Sequence, residues 1–344
     1  MYNSSRLLII GSVPHKGKIS TVGGTTILMD NLLSYLENKT FFKHIASNKF
    51  CFKGSAIFNT IYSLLCVLIY VPFSKTIMIN SSSNGAFLFA PFVYIYSKLF
   101  SKKFIFRMFG GNLIDLINSK PKIVVSLFFK TVAKADLIFV ETKALVKYMS
   151  VYNANVRWYP NVRKVDGENI ARSKYNKRFV FIGHIKKSKG VAEIINAFKS
   201  IDDSYSIHIY GIIKDDVINN IKLPNNVNHK GSLLPDEVIR TLRKYDVLVL
   251  PTFHVGEGYP GIIIEAYSQG LPVITTKWKQ IPEIVVNNKT GFLIGPKNKN
   301  ELVIAIKSFT PENYSMLSAN ALSYFNNFNS EHVNAKILRE IVNL

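Results

Sequence analysis

An α/β chain in two domains, each built on a parallel sheet, is the architecture that this sequence predicts. Three observations carry it. At 344 residues the chain exceeds one typical hydrophobic core, so two domains of roughly 150 to 180 residues are expected. Short apolar runs that close on glycine or proline alternate with longer helical stretches, which is the rhythm of strand, loop and helix. The charge also divides unevenly: residues 1–165 hold 21 Lys/Arg against 5 Asp/Glu, net +16, and residues 166–344 hold 22 against 17, net +5.

Taken in order, Leu7, Leu8, Ile9 and Ile10 before Gly11 read as a buried parallel strand. Gly23, Gly24, Thr25 and Thr26 then form a glycine loop leading into a helical run from Ile27 to Leu36. Residues 56–73 are almost wholly apolar and sit at the lower limit for spanning a bilayer. They contain Asn59, Thr60, Ser63 and Pro72 and run directly into a strand at 75–80, so a buried or interfacial helix is expected. A second apolar helix is expected over 85–100, and strands over 104–107 and 135–140. A second series of strands follows at 179–183, 206–211, 247–251 and 272–275, with helical segments between them as parallel crossovers require. The polar stretch 163–177 reads as the linker. The expected domains are thus 1–165 and 166–344, with the last helix in a position to pack back on the first.

Composition narrows the function classes. Hydrophobic residues at 48% and charged residues at 19% supply a core and argue against disorder. Cys51 and Cys66 belong to no CxxC or Cys/His cluster, so neither a disulfide framework nor a zinc site is expected, and a reducing cytoplasm fits. The N-terminal apolar run is only four residues long before Gly11, which reads as a first strand and not as a signal peptide. The basic first half would be attracted to a polyanion or an anionic membrane surface. No recognition motif or aromatic–basic repeat supports nucleic acid as the partner.

The densest chemical signal runs from Pro251 to Ala266. A strand ends at Pro251, a glycine-rich turn holds Gly256, Glu257 and Gly258, and a helix begins near Pro260. Backbone amides at such a start, with glycines permitting close approach, suit a diphosphate. Glu257 and Glu265 lie eight residues apart, one in the turn and one about two helical turns on. Carboxylates so placed can accept hydrogen bonds from sugar and ribose hydroxyls.

These residues, with Gly270 to Thr275, Ile281 to Val285 and Thr290 to Ile294, resemble the family four retaining glycosyltransferases, also called glycosyl transferases group 1. The resemblance implies the GT-B fold, two Rossmann-like domains whose parallel sheets face across a cleft. It also implies that Glu265 binds the donor ribose, Glu257 the transferred sugar, and the turn of Gly258, Tyr259, Pro260, Gly261 and Ile262, through its backbone amides other than that of the proline, the sugar and phosphate region. A second matching element, Gly183 to Gly190, implies Lys189 as the cation for the donor diphosphate. His184 stands where relatives have arginine, a departure that leaves a weaker phosphate partner, with Lys186 or Lys187 able to compensate. Gly211 and Lys230 resemble further donor-side loops, and Gly23 and Gly24 the family's loop facing the phosphates. Arg107 and Asn112 fall in an acceptor-side loop that lacks the family's usual histidine; Glu141, Thr142 and residues 159–162 resemble other cleft-facing loops.

The implied reaction is retaining transfer of a sugar from a nucleotide-sugar donor to a saccharide acceptor, in bacterial polysaccharide or O-antigen assembly. Lys189 and Glu257 are the expected catalytic pair, with no protein nucleophile. No cofactor or metal is expected, because the chain has no DxD motif. The acceptor is expected to be polyprenyl-diphosphate-linked, and the protein cytoplasmic and peripheral on the inner face of the plasma membrane. The rival readings are a nucleotide-sugar epimerase of the same fold and a basic nucleic-acid-binding protein.

Overall fold

The computed structural model describes residues 7–14, 24–48, 56–164, 171–215 and 223–344. These form two units, residues 1–161 with 330–344, and residues 162–329. Each is described by itself.

The first unit begins with β1 (Leu7–Gly11), α1 (Gly24–Leu36), β2 (Phe42–Ala46), α2 (Ala56–Tyr70), β3 (Thr76–Ser81) and α3 (Phe89–Leu99). It continues through β4 (Lys103–Met108), α4 (Leu113–Ser119), α5 (Lys122–Lys130), β5 (Leu137–Val140), α6 (Lys143–Met149) and β6 (Val156–Trp158). The strands form a six-stranded sheet in the order β2-β1-β3-β4-β5-β6, every pairing parallel. Leu8, Ile10, Ile77, Ile79, Phe104 and Phe106 bury one face under α2, α3, α5 and α6. The alternate positions Ile9, Met78, Ile105 and Phe139 are equally buried, so both faces are covered, which is why the central strands read as unbroken apolar runs.

The second unit holds β7 (Arg178–Ile182), α7 (Val191–Phe198), β8 (Ser206–Tyr210), β9 (Val227–His229), α8 (Val238–Leu242), β10 (Val247–Leu250), α9 (Gly261–Ser268) and β11 (Val273–Thr276). It closes with β12 (Gly291–Ile294), α10 (Lys299–Lys307) and α11 (Pro311–Tyr324). Its sheet runs β12-β11-β10-β7-β8-β9, again entirely parallel. The last helix, α12 (Ser330–Val342), returns to the first unit. Tyr159 donates to Asn334 Oδ1 at 2.5 Å, and Lys39 pairs with Glu331 at 2.6 Å.

Three expectations shift. The division falls at 161/162, not 165/166, because Arg163 is bridged to Asn329 and bonded within the second unit. Residues 330–344, inside the expected second domain by its bounds, group with the first unit, as the reading that the last helix packs back on it allowed. The described part of the stretch read as a linker is anchored at Arg172, which donates to the carbonyls of Gln269 at 3.0 Å and Arg243 at 3.1 Å and through its backbone amide to Ser318 Oγ at 2.7 Å. Among the described residues no helix is long and apolar enough to cross a membrane.

Candidate active site

Strand order decides where a ligand sits. In the second sheet the chain runs outward from β7 through β8 to β9, then starts again on the other side of β7 with β10. The crevice at the carboxyl ends of β7 and β10 is therefore a topological switch point, where open parallel sheets bind ligands. Both motifs singled out in the sequence follow these two strands.

Glycines let the loops at this edge pack backbone on backbone. Gly190 has φ +75°, and a Cβ there would stand 2.3 Å from the Pro251 carbonyl oxygen. A Cβ on Gly211, at φ +154°, would stand 1.8 Å from the Gly183 oxygen. No other residue fits either position without moving a strand end. The two loops are also stitched together, with the amide of Phe253 donating to Ser188 O at 2.8 Å.

This stitching brings the expected catalytic pair into contact. Lys189 Nζ donates to Glu257 Oε2 at 2.6 Å, and Thr252 Oγ1 donates to that same oxygen at 2.7 Å. Both side chains are largely shielded from solvent, so their attraction is stronger than at an open surface. Eight residues on, Glu265 in the second turn of α9 accepts from Arg163 Nε at 2.5 Å. The Arg163 guanidinium lies across the start of that helix, since a Cβ on Gly261 would stand 1.7 Å from its Nη2. Each signature glutamate thus holds a cation from a distant part of the chain.

Arg163 is the residue that sequence reasoning missed, because it stands just past the loop 159–162 and reads as the start of the polar linker. The glycine at 261, which clears its path, was the available signal. Tyr259 is buried and donates to Glu283 Oε2 at 2.5 Å, so its ring serves the core and only its amide is available near the site. Pro260 and Gly258 are buried in the same turn, and Ile262 is half-buried in the first turn of α9. Lys230 is exposed beyond β9, where Gly231 O accepts from the Gly211 amide at 2.8 Å.

In the first unit, Gly23 lies outside the described residues, and Gly24 is the first residue of α1 instead of part of the loop. Arg107 is 1% exposed, its guanidinium 3.4 Å from the Tyr159 ring centroid and 4.5 Å from that of Phe109. Burial lowers its pKa below the ordinary arginine value, opposed by Tyr159 and Glu141. It is therefore no exposed acceptor contact in this structure, and its Nη1 has no hydrogen-bond partner among the described residues. Asn112 precedes α4 and is half-buried. Glu141 accepts from the Gly110 amide at 2.8 Å, and Thr142 caps α6. A cavity of about 250 Å³ lies at this sheet's own switch point between β1 and β3, lined by Ser12, Thr25, Ser47, Asn80 and Ser81 among others.

Three histidines of the second unit have pKa values held below the ordinary 6.5. For His184 the causes are burial, then Lys214, Lys186 and Lys189. For His254 they are burial, then Lys189 and Lys186, and for His208 burial, then Lys230. His184 is therefore a neutral ring at neutral pH and does not replace a guanidinium as a charge. Because the folded values lie below 6.5, the unfolded chain takes up protons that the folded unit refuses as pH falls past that value. Their stabilising contribution is complete above about 6.5 and declines below it. The midpoint of thermal unfolding should fall as pH is lowered from about 7 to about 5, and replacing His184 and His254 by asparagine should flatten that slope. A slope unchanged in the double variant would refute this origin.

Residues 163–322, nearly the whole second unit, match the family described as glycosyl transferases group 1. An uncharacterized 41.2 kDa protein in the cps region of Klebsiella pneumoniae is 25% identical over 189 residues, 55% of this chain and 51% of that one. The capsular polysaccharide biosynthesis glycosyltransferase CapM of Staphylococcus aureus is 31% identical over 134 residues, 35% of this chain and 33% of its own length. These matches span between a third and about half of the curated relatives' length. Among solved structures, Anabaena HepE in complex with UDP shares the fold at a TM-score of 0.73 and 13% identity, covering 98% of this chain and 100% of that one. Fold and site together define the class, a GT-B protein with its switch-point site in the second unit. The family match lies within that second unit and covers just under half of the chain.

Proposed function

We propose that this protein is a retaining, metal-independent glycosyltransferase that moves a sugar from a nucleotide-sugar onto a saccharide acceptor in surface-polysaccharide assembly. The observation that carries it is the pair of glutamates at the switch point of a group 1 unit, each holding a cation in place. In this reading the donor exchanges those partners. Hydroxyls of the transferred sugar engage Glu257, and Lys189 turns to the diphosphate, where negative charge grows as the sugar leaves. Ribose hydroxyls engage Glu265, and Arg163, already lying over the first turn of α9, offers the guanidinium that position 184 lacks. The amides at the α9 start add to this field.

UDP is the nucleotide of first choice, since HepE, which shares the fold, binds it. A polyprenyl-diphosphate-linked acceptor at the inner face of the plasma membrane fits the basic first unit. The test is thermal stabilisation by a panel of UDP-, GDP- and dTDP-sugars, with and without excess EDTA. A saturating UDP-sugar should stabilise the protein by about 2.7 kcal/mol at a hundred times its Kd, unchanged by EDTA. Stabilisation that appears only with added magnesium would overturn the metal-free reading, and none with any nucleotide would overturn the donor.

A further inference from the structure

Two helices of the first unit are built inside out. Along α2 the buried stripe is Asn59, Ser63, Val67 and Val71, spaced by four and half polar. Its outward stripe is Ile61, Leu65, Leu68 and Ile69, all exposed, followed by Phe73 beyond the helix end. Along α3 the inward residues are the small Ala90, Val93 and Ser97, whereas Leu88, Phe92, Ile95 and Leu99 face solvent at helical spacing. A helix on a soluble surface shows the opposite distribution. The two are neighbours, since Tyr96 Oη donates to Leu68 O at 3.1 Å. Val67, Ala90, Val93 and Phe128 share one core, so α2, α3 and α5 cover the same sheet face, and α5 adds exposed Ile123 and Leu127. Scattered exposed apolar residues need no explanation, but a contiguous set across adjacent helices marks an interaction surface.

Charge says what covers it. Residues 56–136 hold nine Lys/Arg and two acidic residues, Asp115 and Asp136, the second paired with Lys98 at 2.5 Å and Lys103 at 3.7 Å. In a parallel sheet every helix-to-strand connection lies at the amino edge of the strands. That edge collects Lys75 before β3, Lys102 and Lys103 leading into β4, and Lys134 before β5. Lys75, Lys103 and Lys134 are exposed and Lys102 is half-buried. The polar cavity of Ser12, Ser47 and Ser81 lies at the opposite, carboxyl edge. An apolar face bordered by cations that outnumber the acids, with Lys75, Lys102 and Lys134 outside the Asp136 pairs, complements an anionic bilayer, with apolar side chains below the headgroups and ammonium groups among them. A second copy of the chain would instead set two lysine edges against each other.

We propose that the outer face of α2, α3 and α5, with the lysines at the amino edge of the first sheet, docks this protein on an anionic membrane surface. The proposal rests on the functional reading above only for what the docking is for, and it is tested apart from it. The full chain is sedimented with vesicles of phosphatidylcholine alone and of phosphatidylcholine mixed with phosphatidylglycerol. Binding should rise with phosphatidylglycerol and weaken from about 0.1 M to about 1 M salt, over which the screening length falls from about 10 Å to about 3 Å. The variant Leu65→Ser/Ile95→Ser/Leu99→Ser, at exposed positions that no core needs, should bind roughly tenfold more weakly. Lys75→Gln/Lys102→Gln/Lys134→Gln should lose the dependence on phosphatidylglycerol, and Ile304→Ser, exposed on α10, should bind as the parent does. Nucleotide binding, read on the same variants, should be unchanged, which separates loss of docking from loss of the donor site. No binding to the anionic vesicles, equal binding by the serine variant, or self-association that the serine variant abolishes in the absence of lipid would each overturn the proposal.

Discussion

Replacing Lys189 by alanine is expected to lower turnover by roughly a hundredfold to a thousandfold while weakening donor binding far less. The ammonium stands 2.6 Å from Glu257 and is shielded from solvent, so its charge is delivered to a ligand with little competing screening. The diphosphate gains its full negative charge only as the glycosidic bond breaks, and an interaction that grows along the reaction raises turnover more than affinity. Glu257 keeps its bond from Thr252 when the lysine is removed, so the loop around it should remain folded. The check is a steady-state comparison of kcat and KM together with a thermal melt. Losses divided equally between kcat and affinity would mean that Lys189 only positions the donor. Lys189→Arg should recover part of the rate, because the charge is restored with different geometry.

Glu265→Ala is expected to weaken nucleotide affinity by about 10-fold to 150-fold, the equivalent of roughly 1.5 to 3 kcal/mol for hydrogen bonds to a charged group. Glu265 also holds Arg163 at 2.5 Å, and the guanidinium occupies the space kept clear by Gly261. Removing the carboxylate therefore takes away an acceptor and releases a cation beside the helix start. The two effects are separable. If Arg163 serves the diphosphate, Arg163→Ala should also weaken binding, and the double variant should lose less than the sum of the two. The measurement is titration of UDP against the parent, both single variants and the double variant. Affinity unchanged in Glu265→Ala would remove the ribose assignment, and strict additivity would remove the coupling with Arg163.

Much of the fold was legible because buried parallel strands leave a strong trace. The runs ending at Gly11, Gly183 and Pro251 are apolar on both faces, and each stops where the chain must turn toward a helix. Edge strands leave no such trace. β2 has one fully buried residue among five, and β6 and β9 are three residues long, so their alternation is too short or too mixed to read. The two glutamates were legible for a local reason, since turn and helix lie within one continuous segment.

The sequence by itself determined the α/β class, the two-unit plan and the spacing of the glutamate pair, because strands, turns and helix starts are written in neighbouring residues; Lys189 entered only through the resemblance of its loop. Tertiary structure alone decided three things. Arg163 meets Glu265 across 102 positions of the chain, a pairing that no local pattern encodes. Arg107, a candidate acceptor contact on paper, is closed in by Tyr159 and Phe109, because its strand is central and both sheet faces are covered. The apolar residues of α2 and α3 point outward, while Asn59, Ser63 and Ser97 point in. Composition counts apolar residues without their direction, and direction is set by which stripe of each helix the sheet beneath it can accommodate.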